Sequence, residues 1–300
     1  MISPKRLHDM YKTEGINVMD YLRNNAFGGI SESDIIEYSY DFQSGTYIDS
    51  LNDKKILDWK MSYAAKISKT ILGLCRPSSL LEAGVGEATT LAYVAESLAS
   101  DIDCYGFDLS WSRAAYASRF LKQKGVAKAK ICTGDLLDIP FKNDSIDVVY
   151  TSHSIEPNHG NEEPILRELY RVARKFLILL EPGYEFASED GKRRMEHFRY
   201  CRKLKEISLS LGYSVITHEL FSSGINPLNP TAITIIQKDC ESDEIEGEAW
   251  ACPKFKCPLI KIENFLYSPE ALIAYPILLG IPCLRSVNGI FASKIEEFIS

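Results

Sequence analysis

The feature that most constrains the fold is an alternation of short β-rich and helix-like segments between about residues 54 and 238. The β-rich segments are, in order, SLLEAG, DCYGFDL, AKICTGD, IDVVYTS, KFLILLEPG, YSVITHELF and TAITIIQK. Candidate helices separate the first five, which indicates a parallel sheet covered on both faces. The last two are joined by a loop too short for a crossover helix, so we predict that they pair antiparallel. The expected fold is therefore α/β and doubly wound, with a mostly parallel, Rossmann-like seven-stranded sheet and an antiparallel last strand.

Four regions follow from this pattern. Residues 1–53, rich in Tyr and Asn, are expected to form a lid or cap over the active face. Residues 54–238 form the sheet domain, in which one long helical stretch, RRMEHFRYCRKLKEISLSLG, separates the fifth and sixth strands. An acidic segment without apolar periodicity predicts a linker over 239–249. Residues 250–300 carry their own apolar content and are expected to form a small C-terminal module.

Composition narrows the class of protein. The chain has 300 residues and 45% hydrophobic residues, enough for one large domain or two of ordinary size. A net charge of -7 disfavours nucleic acid and membrane surfaces as partners. The eight scattered cysteines lack the dense spacing of a secreted disulfide framework. No apolar leader opens the sequence, and its longest apolar stretch, 271–284, is too short to span a bilayer, so we expect a cytoplasmic protein.

The first predicted strand ends in a glycine-rich turn. Glu82, Gly84 and Gly86 lead directly into a helix, whose N-terminus offers free N–H groups. A dinucleotide site would favour a small residue at the position of Thr89. The carboxylate of Glu82 would also repel a pyrophosphate, whereas it would attract an ammonium group. The turn thus favours a ligand such as S-adenosylmethionine (SAM), which has an ammonium group and no phosphate.

Polar residues also end the next three predicted strands. Asp108 lies 24 residues after Gly84, where a carboxylate can accept from both ribose hydroxyls. Asp135 ends the third strand, in reach of an adenine amino group, and Ser152 and His153 end the fourth. The carboxyl ends of the strands are where open α/β sheets bind ligands. Either aspartate alone would equally suit a helix cap, but the ordered set favours a binding site.

These segments, with YGFDLSWSRAAYA, ILRELYRVARK and LLEPGYE, resemble the class I SAM-dependent methyltransferases of the small-molecule type over about residues 78–238. Two positions depart from the pattern of this family. Ala88 stands where many members have a third glycine, and Pro182-Gly183 follows the fifth strand, whereas in the family it usually precedes that strand. The run Asp41 to Tyr47 is similar to a lid segment of related enzymes. The resemblance implies a cofactor site in which some residues belong to the lid and others contact the methionine end, the ribose or the adenine of SAM. These residues are Gln43, Tyr47, Glu82, Gly84, Gly86, Asp108, Leu109, Asp135, Leu136 and Ser152.

The segment HSIEPNH after the fourth strand is the predicted acceptor side. His153, Glu156 and His159 are the candidate catalytic residues, because a base near the methyl group assists transfer to a hydroxyl or a protonated nitrogen. A polar loop whose histidines bond the backbone is the alternative. His197 and Tyr184 are further candidates. A basic run over 192–205 suggests an acidic acceptor such as a carboxylated or nucleotide-linked sugar, although such runs are more often a solvated helix face.

The C-terminal segments CPKFKCPL and AYPILLGIPCL resemble small zinc-ribbon-like proteins that activate RNA and protein methyltransferases. Phe255 stands where that pattern has its second cysteine. Cys252, Cys257 and Cys283 are three thiols, and a structural zinc needs four ligands at tight spacing. We therefore predict a remnant without metal that packs against the catalytic domain or a partner.

Together these observations predict a SAM-dependent methyltransferase acting on O or N of a small molecule, with a sugar or sugar derivative as one candidate acceptor. Membrane association is not expected, nucleic acid is disfavoured, and a homodimer is allowed. Three alternatives stay open: a non-catalytic scaffold or partner-binding subunit of the same fold, a methyltransferase acting on protein or RNA, and an NAD-dependent oxidoreductase. Glu82 and Thr89 disfavour the last.

Overall fold

A computed structural model describes residues 2–25, 30–98, 102–222, 224–238 and 247–298. The helices are α1 (Pro4–Glu14), α2 (Val18–Asn24), α3 (Glu32–Phe42), α4 (Thr46–Ser50), α5 (Lys54–Leu74), α6 (Leu91–Glu96), α7 (Trp111–Gln123), α8 (Glu162–Val172), α9 (Glu189–His197) and α10 (Leu204–Ser210). The strands are β1 (Ser79–Ala83), β2 (Asp103–Asp108), β3 (Lys130–Thr133), β4 (Ile146–Ser152), β5 (Ala173–Pro182), β6 (Ser214–Ser222), β7 (Thr231–Gln237), β8 (Ile260–Ile262), β9 (Phe265–Ser268), β10 (Ile273–Leu278), β11 (Ile281–Pro282) and β12 (Ile290–Phe291).

Seven strands form the central sheet in the order β3-β2-β1-β4-β5-β7-β6. The pairs β1–β2, β1–β4, β2–β3 and β4–β5 are parallel. β7 runs antiparallel to both β5 and β6. The predicted fold class is confirmed, including the antiparallel pairing of the last two strands. The strand order reverses at β1 and β4, and that switch point is where sheets of this kind open a ligand crevice.

Helices cover both faces of this sheet. α5 begins at Asp53, whose side chain accepts from Lys55 N at 2.8 Å, and it buries Ala64, Ile67 and Ile71 along one stripe. α6 and α7 lie on the same face and share its core. α8 and α10 cover the opposite face.

The prediction of a single helical stretch between β5 and β6 is wrong. It is divided into α9 and α10 by a break at 198–203, in which Arg199 and Lys203 have φ of 54° and 58°. The break is caused by a tertiary contact: the backbone N–H of Cys201 donates to Glu156 O at 2.9 Å, and Cys201 is buried. Helical periodicity in the sequence cannot reveal such a contact.

The N-terminal helices form a small layer beside the sheet. α1, α2 and α3 pack around Leu7, Val18, Leu22 and Ile35. α3 begins with a capping box between Ser31 and Asp34. We call residues 30–51, which contain α3 and α4, the cap, because they lie over the carboxyl edge of the sheet.

The C-terminal residues form an antiparallel sheet in which β8, β9, β10 and β11 follow one another and β12 pairs with β10. A parallel bridge joins Cys283 to Thr133 at the end of β3, and Tyr275 and Leu284 belong to the same core as α8. Residues 239–246 of the predicted linker lie outside the described residues, whereas Ala249 is buried and its carbonyl accepts from Lys142 N at 2.9 Å. The C-terminal sheet is thus packed directly on the edge of the main sheet.

Within the described ranges, no helix combines the length and the apolarity needed to cross a bilayer.

Candidate active site

A cavity of about 500 Å³ lies between the cap and the carboxyl ends of β1, β2 and β4. Every predicted cofactor residue except Gln43 lines it: Tyr47, Glu82, Gly84, Gly86, Asp108, Leu109, Asp135, Leu136 and Ser152. Gln43 ends α3, and its side-chain amide donates to Ser39 O at 2.8 Å, which directs it along its own helix. His153 and Glu156 also line the cavity, and His159 does not.

At one position of the glycine turn after β1, only a glycine fits. Gly84 has φ of +72°, and a Cβ added to it would lie 2.2 Å from Cβ of Ser154. Ser154 belongs to the loop after β4, so the turn and the acceptor loop are in close contact. The buried Oγ of Ser154 has no hydrogen-bond partner among the described residues. This cradle of small residues leaves space for a ligand against the backbone.

Glu82 and Lys60 bring opposite charges to one end of the cavity. Glu82 is buried, and its Oε2 accepts from Tyr150 Oη at 2.9 Å. Burial raises the pKa of Glu82 to about 8, against the opposing effects of Tyr150 and Lys60. Lys60 on α5 was not among the predicted site residues; its Nζ donates to Thr90 Oγ1 at 3.2 Å, and burial lowers its pKa. A lysine in the middle of an amphipathic helix gives no local signal of such a role.

Asp108 is fixed by two backbone donors. Its Oδ2 accepts from Gly86 N and its Oδ1 from Ser110 N, each at 2.9 Å. Each carboxylate oxygen has two lone pairs, so both oxygens retain acceptor capacity for a ligand. The cap of α7 is Ser110, whose Oγ accepts from Arg113 N at 3.1 Å. Capping of α7 therefore does not account for Asp108.

Asp135 faces the cap. Its Oδ1 accepts from Leu137 N at 2.9 Å, and its Oδ2 accepts from Ser33 Oγ of α3 at 3.3 Å. The next element along the chain is β4, not a helix. The alternative that Asp135 caps a following helix is thereby excluded.

His153 and Glu156 form a half-buried ion pair. His153 has φ of 57°, and its Nδ1 lies 2.6 Å from Glu156 Oε2. Burial favours the neutral ring, but the hydrogen bond and charge of Glu156 dominate and raise the pKa of His153. Burial by itself would raise the pKa of Glu156, but the hydrogen bond and the charge of His153 hold that pKa below its usual range. The other ring nitrogen, Nε2, lies 2.8 Å from Thr231 Oγ1 on β7, so His153 is engaged on both sides.

Three residues outside the predicted segment hold this pair. Asn229 Nδ2 donates to Glu156 Oε2 at 3.3 Å, and Thr231 bonds His153 as above. Glu181, at the end of β5, accepts from the backbone N–H groups of 154, 155 and 156 at 3.1, 3.2 and 3.1 Å. Burial raises the pKa of Glu181 to about 7. A carboxylate ending a buried strand is the one sequence signal that would have pointed to Glu181.

The other predicted acceptor residues lie elsewhere. His159 Nδ1 is 2.8 Å from Glu162 Oε1, outside the cavity lining. Tyr184 donates to Glu196 at 2.6 Å, and His197 contacts the ring of Phe198; neither lines the cavity. Members of the basic run pair with surface acids: Lys192 with Glu189, Arg193 with Asp190 and Arg202 with Glu196.

The cap is held down by carboxylates on both sides of the contact. Glu87, buried just after the glycine turn, accepts from Gly45 N at 2.9 Å and Ile48 N at 2.8 Å. From the cap, Asp41 accepts from Ser110 Oγ at 2.6 Å. The cavity is therefore closed by contacts with the same turns that carry Gly86 and Asp108.

The C-terminal cysteines are separate thiols. Cys252 Sγ lies 3.3 Å from Tyr275 Oη, and Cys257 Sγ lies 2.9 Å from Ser268 Oγ. Cys283 Sγ donates a hydrogen bond to the backbone carbonyl of Ile281. The described residues contain no group of three or more His, Cys, Asp or Glu side chains arranged to hold a metal ion.

Residues 80–175 match the model of the methyltransferase domain family. The matched segment runs from β1 to the start of β5 and carries Glu82, Asp108, Asp135 and the pair His153–Glu156.

Individual relatives share only part of the chain. An ajmaline N-methyltransferase of Rauvolfia serpentina is 27% identical over 43% of this chain and 45% of its own length. A norajmaline N-methyltransferase of the same plant is 32% identical over 33% of each chain. A structure of geranyl diphosphate methyltransferase with GPP and sinefungin aligns with a TM-score of 0.44 at 13% identity, covering 54% of this chain and 72% of its own. The chain spans less than half the length of the curated relatives it matches.

Proposed function

We propose that this protein binds SAM in the cavity beneath the cap and transfers its methyl group to a small-molecule acceptor. The observation that carries the proposal is the convergence of Glu82, Asp108 and Asp135 on one cavity, at the carboxyl ends of β1, β2 and β3. The match of residues 80–175 to the methyltransferase domain supports it. When bound, SAM supplies an electrophilic methyl group on a sulfonium; the protein aligns the acceptor with it.

The charges at the two ends of the site suit the parts of SAM. Glu82 and Lys60 together match the ammonium and carboxylate groups of a methionine moiety, and Gly84 lets it approach the backbone. Asp108 would accept from the ribose hydroxyls through its remaining lone pairs. Asp135 and Leu136 would contact the adenine.

We propose nitrogen as the acceptor atom. Seven acidic residues line the cavity against three cationic ones, Lys60, Arg113 and the ion-paired His153, and this excess of acids favours positively charged ligands: Glu32, Glu37, Glu82, Glu87, Asp108, Asp135 and Glu156. The ion pair with His153 keeps Glu156 ionised beside the cavity, where it would attract an amine. Both curated relatives described above are named N-methyltransferases. In the basic run that suggested an anionic sugar, Lys192, Arg193 and Arg202 are paired with surface acids, and no member of the run lines the cavity.

His153 would act by orienting Glu156. Since both its ring nitrogens are engaged, it has no free nitrogen to take a proton from an acceptor in this arrangement. Glu156, which lines the cavity together with His153, is the proposed group that receives the acceptor amine.

Specific observations argue against each of the rival functions. A scaffold would not need a buried Glu82 of raised pKa, because an ionisable group inside a protein lowers stability unless a ligand uses it. A cavity of about 500 Å³ beneath the cap favours a small acceptor over protein or RNA. For NAD, the carboxylate of Glu82 faces the place where its pyrophosphate would lie.

Isothermal titration calorimetry with S-adenosylhomocysteine (SAH), the demethylated product, tests the proposal. We expect SAH to bind at about micromolar strength and NAD not to bind. Transfer of a radiolabelled methyl group from SAM to a panel of secondary amines, compared with matched alcohols, then tests the acceptor atom. Absence of SAH binding would refute the proposed function; SAH binding with transfer to alcohols alone would refute nitrogen.

A further inference from the structure

Arg113 is a buried cation in the first turn of α7 that no predicted role explains. It is 7% exposed and lines the cavity. Its Nε and Nη2 are buried without a hydrogen-bond partner among the residues that the structure describes. A buried guanidinium with unfilled donors lowers stability, so stability alone does not explain an arginine here.

Two tyrosines of the cap lie against this guanidinium. Cζ of Arg113 is 4.7 Å from the ring centroid of Tyr40 and 4.6 Å from that of Tyr47. Both tyrosines line the cavity. A flat guanidinium stacks on aromatic faces, and the attraction strengthens when water is excluded. The two cap helices are thus joined at one side chain of the sheet domain, because Tyr40 belongs to α3 and Tyr47 to α4.

The same side chain reaches the carboxylate assigned to the ribose. Burial raises the pKa of Asp108, and the positive charge of Arg113 partly offsets that rise. A Cβ added to Gly86 would lie 3.5 Å from Nη1 of Arg113, so the guanidinium also lies close to the glycine turn. Arg113 therefore contacts, at once, the cap and the turn that would hold the cofactor.

The remaining contacts of the cap agree with this arrangement. Ser110, three residues before Arg113, donates to Asp41 of the cap, and Glu87 binds the amides of Gly45 and Ile48. The three anchors of the cap, Arg113, Ser110 and Glu87, surround the ribose and methionine positions of the proposed site. None of them lies at the acceptor loop.

We propose that Arg113 is a positioning residue that holds the cap over bound cofactor by stacking between Tyr40 and Tyr47, with its positive charge near Asp108. This rests on the proposed function. The consequence is a slow release of SAH, since the ligand leaves only when the cap moves away from Arg113.

The test is Arg113→Lys, which keeps the charge beside Asp108 but removes the flat face. We expect SAH to bind about tenfold more weakly, with the loss in a faster dissociation rate measured by stopped flow. The matched control is Arg119→Lys on the same helix, because Arg119 also lies over a tyrosine, Tyr116 at 4.7 Å, but is exposed and outside the cavity lining. It should leave both constants unchanged.

Hydrogen exchange separates closure of the cap from general stability. In the wild type and in Arg119→Lys, saturating SAH should slow exchange of the amides of Gly45 and Ile48, which Glu87 binds; in Arg113→Lys that protection should be lost at the same saturation. Wild-type SAH affinity, dissociation rate and protection in Arg113→Lys would overturn the proposal.

Two variants of the cap itself cover the case in which Arg113→Lys fails to fold. Tyr47 is 45% exposed, so substitutions there are tolerated. Tyr47→Phe keeps the ring and should retain SAH affinity, whereas Tyr47→Leu should weaken it severalfold. Equal losses in the two variants would assign the contact to the hydroxyl and overturn the stacking role. A wild-type protein that binds no SAH refutes the proposed function itself, and the cap role with it.

Discussion

The two halves of the cavity are built in different ways. The proposed cofactor half is made by residues at successive strand ends, Glu82, Asp108 and Asp135, which follow one another in the sequence. The proposed acceptor half is made by one loop, 153–156, held by Glu181 of β5 and Thr231 of β7. The first half is therefore fixed by local turns on a sheet, and the second by contacts between distant segments. This difference predicts that substitutions in the cofactor half act on SAH binding directly, whereas those in the acceptor half act on methyl transfer.

The largest effect is expected at the point where the halves touch. In Gly84→Ala the new Cβ would lie 2.2 Å from Cβ of Ser154 at a φ of +72°, so the turn and the acceptor loop must move apart. We expect the free energy of unfolding to fall by roughly 2–4 kcal/mol from strain and overpacking together, and SAH affinity to fall by about a hundredfold. Denaturant titration and calorimetry measure the two quantities.

Gly125→Ala is its control, since Gly125 has φ of +79° but nothing within 4 Å of the added Cβ. It should lose only the backbone component of stability and keep SAH affinity. A similar loss of SAH affinity in both variants would contradict the close contact between the halves.

Asp108→Ala should weaken SAH binding at least about tenfold, because hydrogen bonds to a charged acceptor contribute about 1.5–3 kcal/mol each. Asp103→Ala, at the exposed start of the same strand, should leave the affinity unchanged. Unchanged affinity in Asp108→Ala would refute the ribose role and leave the cofactor half without its central acceptor.

The pH dependence of binding sharpens the role of Glu82. Burial raises its pKa to about 8 in the ligand-free protein. A ligand ammonium favours the carboxylate, so SAH affinity should rise between pH 6 and pH 8, by at most about tenfold per pH unit, and level off above. In Glu82→Gln this dependence should be absent. Identical pH profiles in calorimetry for the two proteins would exclude Glu82 as the ammonium partner.

The same raised pKa has the opposite consequence for folding. Since the pKa of Glu82 in the folded state lies above its unfolded value, its contribution to stability is full below pH 4.5 and is lost as the pH rises through about 8. Between these two pH values the folded protein keeps Glu82 protonated while the unfolded chain ionises it, and a ligand that favours the carboxylate would offset this loss of stability.

The smallest effect is expected for the contact between the cap and the C-terminal sheet. Arg285 Nη1 lies 2.6 Å from Glu37 Oε1 of α3, and the next residue, Ser286, donates to Asp138 at 2.6 Å. Arg285→Gln should weaken SAH binding two- to fivefold, since a partly exposed pair contributes up to about 1 kcal/mol. Lys294→Gln, which breaks an exposed pair with Glu297 in the same region, should have no effect. Equal affinities in these two variants would show that the C-terminal sheet does not act on the cap.

Most of the framework could be predicted from the sequence. Each predicted strand of the main sheet is present, and the parallel strands were the clearest, because a buried parallel strand is a short continuous apolar run that stands out locally. The cavity lining includes nine of the ten predicted cofactor residues, and all of these except Tyr47 of α4 lie at or just after the carboxyl ends of β1 to β4. The break between α9 and α10 was not predictable, since it depends on the bond between Cys201 and Glu156.

Three of the residues that escaped prediction share one property. Lys60, Arg113 and Thr231 each lie in a regular helix or strand, where the local pattern gives them an ordinary structural role. Lys60 and Arg113 line the cavity and Thr231 contacts His153, because the sheet order brings α5, α7 and β7 to the carboxyl edge. Their function depends on which elements become neighbours, and no spacing within one segment contains that information.

The sequence by itself determined the alternation of strands and helices, the antiparallel last strand, the glycine turn and the acidic strand ends, because each depends on backbone geometry and burial within a few residues. Only the tertiary structure decided that His153 is bound on both sides, that Glu181 holds the acceptor loop, and that the cap rests on Arg113. Those features arise where segments more than 20 residues apart in the sequence meet, and partial burial there gives a hydrogen bond or a charge a strength that it lacks in the open chain.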